Sequence, residues 1–482
     1  MWISNAEVGG RRVDVRLRDG EVALIAEPGS IAPDIAEPLL DARGGALLPG
    51  LHDHHIHLSS FAASQRSVRC GPPEVRDAGA LARALKAAHA CSGTGWLRGI
   101  GYHESVAGEI DRTWLDRVLP DRPVRIQHRS GRLWILNSAA LERLSGAGPT
   151  PLERVAGRLT GRLYDADEWL RARLGSHYPD LTSACATLAG YGITGLTDAS
   201  ASNDRSTLEH LSSELRAGAI SQSLLLMGAA SLSAGPSLAG VERGAEVEVG
   251  ALKVHLHDEA LPELSHMTRR VARAHEQGRA VAFHCVTEAE LSYALGVLEA
   301  AGSASGDRIE HAGIASPLQV SAAAERGVAV VTQPHFIAER GDRYYEDVPL
   351  AEHAWLYRGA AWLKAGVALA GGSDAPYGSA NPWVAMHAAV NRRTAEGRVL
   401  GAEEALTPEQ ALDLYLSPAA APGQNPRRVR IGAPADLCLL DRSWGRARAE
   451  LSAVQVLATF RRGRLIARRP LDEIASLSEL SP

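Results

Sequence analysis

The stretch Ala46-Leu47-Leu48-Pro49-Gly50-Leu51-His52-Asp53-His54-His55-Ile56-His57 constrains this chain more than any other. It runs apolar, turns at Pro49-Gly50, and then places four histidines and one aspartate within six residues. Side chains along a strand alternate between faces, so His55 and His57 point one way and Ile56 the other. Two imidazoles so placed can hold one cation, at roughly 2.0–2.1 Å each if it is zinc. A polar strand end whose histidines face water has the same local pattern. Partners farther along the chain decide between the two.

The middle of the chain alternates strand and helix patterns, which points to a parallel α/β sheet. After the histidine stretch the strand candidates are 193–198, 223–228, 251–256, 280–285, 307–312, 328–334 and 367–374, making eight in all. Between two of them Leu261, Leu264, Met267, Val271 and Ala274 fall at helical spacing. Eight such units close into a (β/α)8 TIM-like barrel, whose active site lies at the C-terminal strand ends. The first 45 residues and the far C-terminus read instead as short strands with hairpin turns at Asp19-Gly20 and Gly463. Neither end has enough apolar surface alone, so the two are predicted to form one small β-sandwich domain. The expected organisation is residues 1–48 and 424–482 in that domain and 49–423 in the barrel. An insertion at about 60–185 interrupts the barrel and is expected to cover part of its mouth. Residues 333–357 form a second long connection, read as a lid.

Four strand candidates carry a metal-capable residue near their C-terminal ends: Lys253, His284, His311 and Asp374. Singly, each has an ordinary reading as an exposed histidine, a helix-capping aspartate or half of an ion pair. With His55 and His57 they converge on one rim, from strands one, four, five, six and eight. The lysine stands out for a compositional reason. Of 51 basic residues only Lys86, Lys253 and Lys364 are lysines. A lysine inside an apolar strand can lose its proton on burial, and the arginine guanidinium cannot.

Composition limits the functional classes further. A net charge of −5 without a basic block argues against a nucleic-acid or anionic-membrane partner. No apolar run approaches the ~18 residues of a membrane span. The N-terminus lacks the basic and apolar regions of a signal peptide. Five scattered cysteines without paired spacing suit reduced thiols in a cytoplasm. The expected partner is a small-molecule substrate, and a homodimer is compatible with the chain.

The elements Asp53-His54-His55-Ile56-His57, Lys253, His284, His311 and Gly371-Gly372-Ser373-Asp374 resemble the amidohydrolase superfamily. More closely they resemble its amidohydrolase-3-like branch, which includes N-substituted formamide deformylases. Gly161-Arg162-Leu163, Gly192-Ile193-Thr194, Asn137-Ser138-Ala139-Ala140-Leu141 and Gly432-Ala433-Pro434-Ala435-Asp436-Leu437 extend the resemblance over nearly the whole chain. It implies that His55 and His57 bind one divalent metal, that His284 and His311 bind a second, and that a carboxylated Lys253 bridges them. Asp374 would ligate the first metal and shuttle the proton. Two cations roughly 3.5–4 Å apart can share a hydroxide that attacks the carbonyl of an amide, formamide, carbamate or cyclic amide. Zinc leads the candidate metals, with iron, manganese, cobalt or nickel compatible with the same donors.

Other readings share these residues. Ester or lactone hydrolysis, or decarboxylation, would use the same metals. A mononuclear centre follows if Lys253 stays uncarboxylated, and a silent ligand-binding barrel follows if no metal is held. His52, His54, His255 and His257 are read as lying behind the ligands or at the surface, and Asp198 as a rim residue or helix cap. The branch often has Asp-Gly-His where this chain has Ser130-Gly131-Arg132. Arg132, with nearby His128, suits either an anionic substrate or a surface ion pair. His335, Tyr344 and Tyr345 are candidates to line the pocket.

Overall fold

The computed structural model describes residues 1–72, 74–91, 95–145, 151–175, 178–232 and 247–469. Residues 470–482 of the expected C-terminal segment lie outside that set. Eight strands form one parallel sheet: β1 (Leu51–Ile56), β2 (Ile193–Asp198), β3 (Ser223–Gly228), β4 (Glu248–His255), β5 (Val281–Cys285), β6 (Arg308–His311), β7 (Ala329–Thr332) and β8 (Leu369–Gly371). They neighbour one another in chain order. Just past the strand ends the Asp374 amide donates to the His55 carbonyl at 2.7 Å, and the His57 amide donates to the Ala375 carbonyl at 3.0 Å. These bonds bring β8 back to β1 and make a nearly closed barrel. Every residue of β1 and β2 is buried, as expected of parallel strands covered on both faces.

β2 and β3 occupy the residues that the sequence pattern predicts. β8 covers only Leu369–Gly371 of the 367–374 candidate, and Asp374 at the far end of that candidate adopts φ +52°, outside extended geometry. The helix Leu264–Glu276 buries Met267, Val271 and Ala274, whereas Leu264 opens the helix and stays exposed.

The chain ends form two four-stranded sheets. One holds Trp2–Val8, Arg11–Arg18, Glu21–Ala26 and Leu39–Asp41; the other joins Leu47–Pro49 to Leu437–Leu440, Val456–Arg461 and Arg464–Arg468. A shared core that includes Ile3, Val15, Leu17, Val22, Leu47, Leu439 and Phe460 makes the sandwich. Asp19 and Gly20 both have positive φ, +52° and +80°, the backbone of a type I′ turn that matches strand twist. Leu47–Pro49 hands the chain directly from this sandwich to β1.

Residues Ser59–Asp180 form a separate compact unit. Its six-stranded sheet runs Leu152–Val155, Arg158–Tyr164, Leu133–Leu136, Val124–His128, Leu97–Tyr102 and Val68–Arg69. The expected lid at 333–357 is mostly the helix His335–Asp347, which buries His335, Phe336, Ile337 and Gly341. Phe336 and Ile337 pack with Leu356, Tyr357 and Leu400, so apolar burial fixes this segment in place. No helix among the described residues is long and apolar enough to cross a membrane. All five cysteines are free thiols.

Candidate metal centre

β1 delivers its histidines to two different destinations. His52 Nε2 lies 2.9 Å from Thr197 Oγ1, and His54 Nε2 lies 2.9 Å from Ser417 Oγ. Both rings are thereby committed away from the rim. His55 and His57, on the other face, bring Nε2 to 3.5 Å and 3.2 Å from Asp374 Oδ1. One donor atom from each of these three residues lies within 4.8 Å of the others. His57 keeps some exposure, whereas His55 is buried.

The next strands complete the rim. The His311 ring centroid is 4.8 Å from that of His55 and 4.4 Å from that of His284. His255 lies beyond, 4.1 Å from His284 and 4.6 Å from His257. Burial pushes the pKa of His284 well below the imidazole range, and that of His311 down to about 3. Neutral imidazole is the form that offers a lone pair to a metal. Lys253 is 3 % exposed, and its Nζ has no hydrogen-bond partner among the described residues. Burial brings its pKa down to about 8, against the attraction of Glu310. A buried amine without a partner is costly unless something else completes it. The donor set therefore fits a cation centre.

Three of the rings are steadied through their other nitrogen. His55 Nδ1 meets Glu310 Oε2 at 2.5 Å, His57 Nδ1 meets Ser200 Oγ at 2.8 Å, and His311 Nδ1 meets Gln333 Oε1 at 2.7 Å. An Nδ1–H donated to these oxygens leaves each Nε2 lone pair for a metal. Sequence reasoning missed Glu310, which is fully buried. Arg308 donates to both of its carboxylate oxygens, at 2.5 and 3.0 Å, and also to the His54 carbonyl at 2.7 Å. Burial opposes ionisation of Glu310, but Arg308, Lys253 and His55 outweigh it and hold the pKa well below the usual range. Asp53 ties β1 to the turn after β8, its Oδ1 accepting from the amides of His55 and Ser373 at 3.1 and 2.9 Å.

The remaining candidates have other surroundings. His335 is buried, with Nε2 3.0 Å from the Ser373 carbonyl, so it braces the turn that carries Asp374. The Tyr344 ring stacks on Tyr357 at 6.0 Å within an apolar cluster. Tyr345 donates its hydroxyl to the Val399 carbonyl. His128 and Arg132 belong to the inserted unit, where Arg132 makes a two-point ion pair with Asp165 at 2.8 and 2.7 Å. Asp198 accepts from the Leu58 and Ser200 amides and from Asn203. These bonds pin the connection after β1 and the loop that supplies Ser200.

A parallel eight-stranded barrel with a histidine, carboxylate and lysine rim defines the class of metal-dependent barrel hydrolases. The chain belongs to the amidohydrolase family, whose pattern matches residues 39–467. It is therefore a metal-dependent hydrolase acting on carbon–nitrogen bonds other than peptide bonds. It is 28 % identical to an N-substituted formamide deformylase of Arthrobacter pascens, over 95 % of this chain and 97 % of that protein. It is 25 % identical to the putative amidohydrolase YtcJ of Bacillus subtilis, over 78 % and 79 %. In structure it is similar to an uncharacterised metal-dependent hydrolase of Pyrococcus horikoshii, with a TM-score of 0.74, 21 % identity, and 92 % and 97 % of the two chains covered.

Proposed function

We propose that this protein hydrolyses the C–N bond of a small amide, formamide, carbamate or cyclic amide. The observation that carries the reading is the common orientation of His55, His57 and His311, each held through Nδ1 with Nε2 left for a cation. In this reading His55, His57 and Asp374 hold one divalent ion, and His284 and His311 hold a second. Lys253 would serve both ions as a carboxylated lysine: its neutral Nζ would bond to the carbon of CO2, one N–H proton would leave to solvent, and a carbamate anion would result. Zinc is the first choice of ion, with iron, manganese, cobalt and nickel suited to the same donors. Bound there, the ions polarise a carbonyl oxygen and lower the pKa of water.

The chain's own residues supply position and proton transfer. Asp374 accepts the proton released as water adds to the carbonyl carbon, and returns it to the nitrogen as the C–N bond breaks. Glu310, Ser200 and Gln333 keep three rings in register during that exchange. The formamide chemistry of the Arthrobacter relative puts N-substituted formamides first among the substrates to try. The reading takes a small molecule as partner, without nucleic acid or a membrane surface. It sets the free thiols in a cytoplasm and admits a homodimer.

The test is metal content per chain by inductively coupled plasma mass spectrometry, on protein purified without chelator, alongside a panel of formamides, amides and carbamates. Two ions per chain at the rim, with C–N turnover, is the expected result. One ion moves the reading to a mononuclear centre of His55, His57 and Asp374. No metal, and no turnover on adding zinc or manganese, overturns it in favour of a silent ligand-binding barrel.

A further inference from the structure

The strands Leu97–Tyr102 and Val124–His128 of the inserted unit run parallel, with Tyr102 opposite His128. That register sets His103, the residue after the first strand, beside His128 at the end of the second. Their rings stack at 5.9 Å with planes 28° apart. Glu104 reaches both: its Oε2 is 3.2 Å from His128 Nε2 and 3.6 Å from His103 Nε2. One donor atom from each of the three residues lies within 4.8 Å of the others.

We propose that His103, Glu104 and His128 form a second cation site, independent of the barrel rim, for a borderline transition-metal ion such as zinc. Tetrahedral ligands about 2.0–2.1 Å from zinc stand about 3.3 Å apart, close to the spacings found here. The rings are braced alike. His103 Nδ1 is 2.8 Å from Ser105 Oγ, and His128 Nδ1 is 2.8 Å from Ser130 Oγ, two residues along in each case. The Ser105 and Ser130 amides also reach the same nitrogens, both at 3.1 Å.

A hydroxyl both donates and accepts, so the serine oxygen serves either tautomer, whereas the serine amide serves only the one that leaves Nδ1 unprotonated. Without an ion, Nδ1 accepts from the serine amide and Nε2–H donates towards Glu104. With an ion, the proton sits on Nδ1 and is donated to the serine oxygen in place of the bond from the serine amide, which frees the Nε2 lone pair. The proton moves within the ring, and none is lost. A simple Glu–His ion pair needs one imidazole. Two rings directed at one carboxylate oxygen, each held by its own serine, make a ligand set. The rings are 14 % exposed and the carboxylate 45 %, which leaves an outward position for water and a path of entry.

The experiment is equilibrium dialysis of the full chain against micromolar zinc chloride, counting zinc per chain in wild type, Glu104→Gln and His128→Ala. Each variant should hold one zinc fewer than wild type. The count is a difference, so it does not depend on how many ions the rim holds. Loss of the same single ion on top of Lys253→Ala would show that the two sites are separate. Equal zinc in wild type and both variants overturns the proposal. Glu104→Gln nearly preserves shape and carries the test if His128→Ala fails to fold.

Discussion

The two histidine clusters of this molecule are held in opposite ways. At the barrel rim the braces come from distant strands and loops: Glu310 for His55, Ser200 for His57, Gln333 for His311. In the inserted unit each brace is two residues from its ring. The rim is also buried almost throughout, whereas Glu104 stands open to solvent. Removing charges from water costs several kcal/mol per ion unless partners compensate. The rim therefore works as a completed network, and the inserted cluster tolerates an incomplete one. Loss of a rim group should spread; loss of an inserted group should stay local.

The largest effect is expected at Lys253. Lys253→Ala removes a buried donor central to the rim, and the rim's metal and C–N hydrolysis should be lost together, leaving only the ion assigned to the inserted unit. Metal analysis beside a rate assay reads this directly, and a variant with full metal and full rate would refute the bridging role. Glu310→Gln should come next. It keeps the shape but weakens the hold on His55, and changes to such supporting groups typically cost 10–100-fold in metal affinity. It also leaves Arg308 buried without its counter-charge, so about 3–5 kcal/mol of stability should be lost. Chelator competition measures the first quantity and urea unfolding the second. If stability drops while metal affinity holds, Glu310 serves the fold alone.

The contrast also explains what the sequence made legible. Alternation within β1 was enough to separate His55 and His57 from His52 and His54, even though its pairing with β2 shifts register between Asp53 and Ile56. The scarcity of lysine was enough to single out Lys253. Glu310 escaped because it is adjacent to His311, and regular alternation puts neighbours on opposite faces. His311 adopts φ +67°, which breaks that alternation and lets both residues serve the rim. Ser200 and Gln333 escaped because their partners lie 143 and 22 residues away. Arg132 was open to two readings for the same reason: its partner Asp165 is 33 residues distant. The 333–357 segment reads as a lid when the length of the connection alone is weighed, and Phe336 and Ile337 show their helical burial only once Leu356 and Leu400 are in place.

Packing sharpens the comparison with a smaller effect. Gly372 sits where β8 closes on β1, and a Cβ there would come within 2.6 Å of the His55 amide nitrogen and closer still to its Cβ. Gly372→Ala should therefore cost about 1–3 kcal/mol, as overpacking commonly does, and weaken metal binding with it. A thermal melt with and without added zinc separates the two. A variant as stable as wild type that still fills with metal would mean that the seam is looser than these distances imply.

The smallest effect belongs to Arg132. Its ion pair with Asp165 has good two-point geometry, but the side chains are 43 % and 47 % exposed. Water and salt screen such a pair, and exposed pairs typically contribute ~0–1 kcal/mol. Arg132→Ala should therefore lower stability by no more than about 1 kcal/mol in urea, and the loss should shrink as salt is raised. Arg308 is the counterexample within the same chain, a guanidinium with a similar two-point grip but almost no exposure. If Arg132→Ala proved as damaging as Glu310→Gln, exposure would not be what separates the two regions, and the inserted unit would have to be regarded as a network as tightly coupled as the rim.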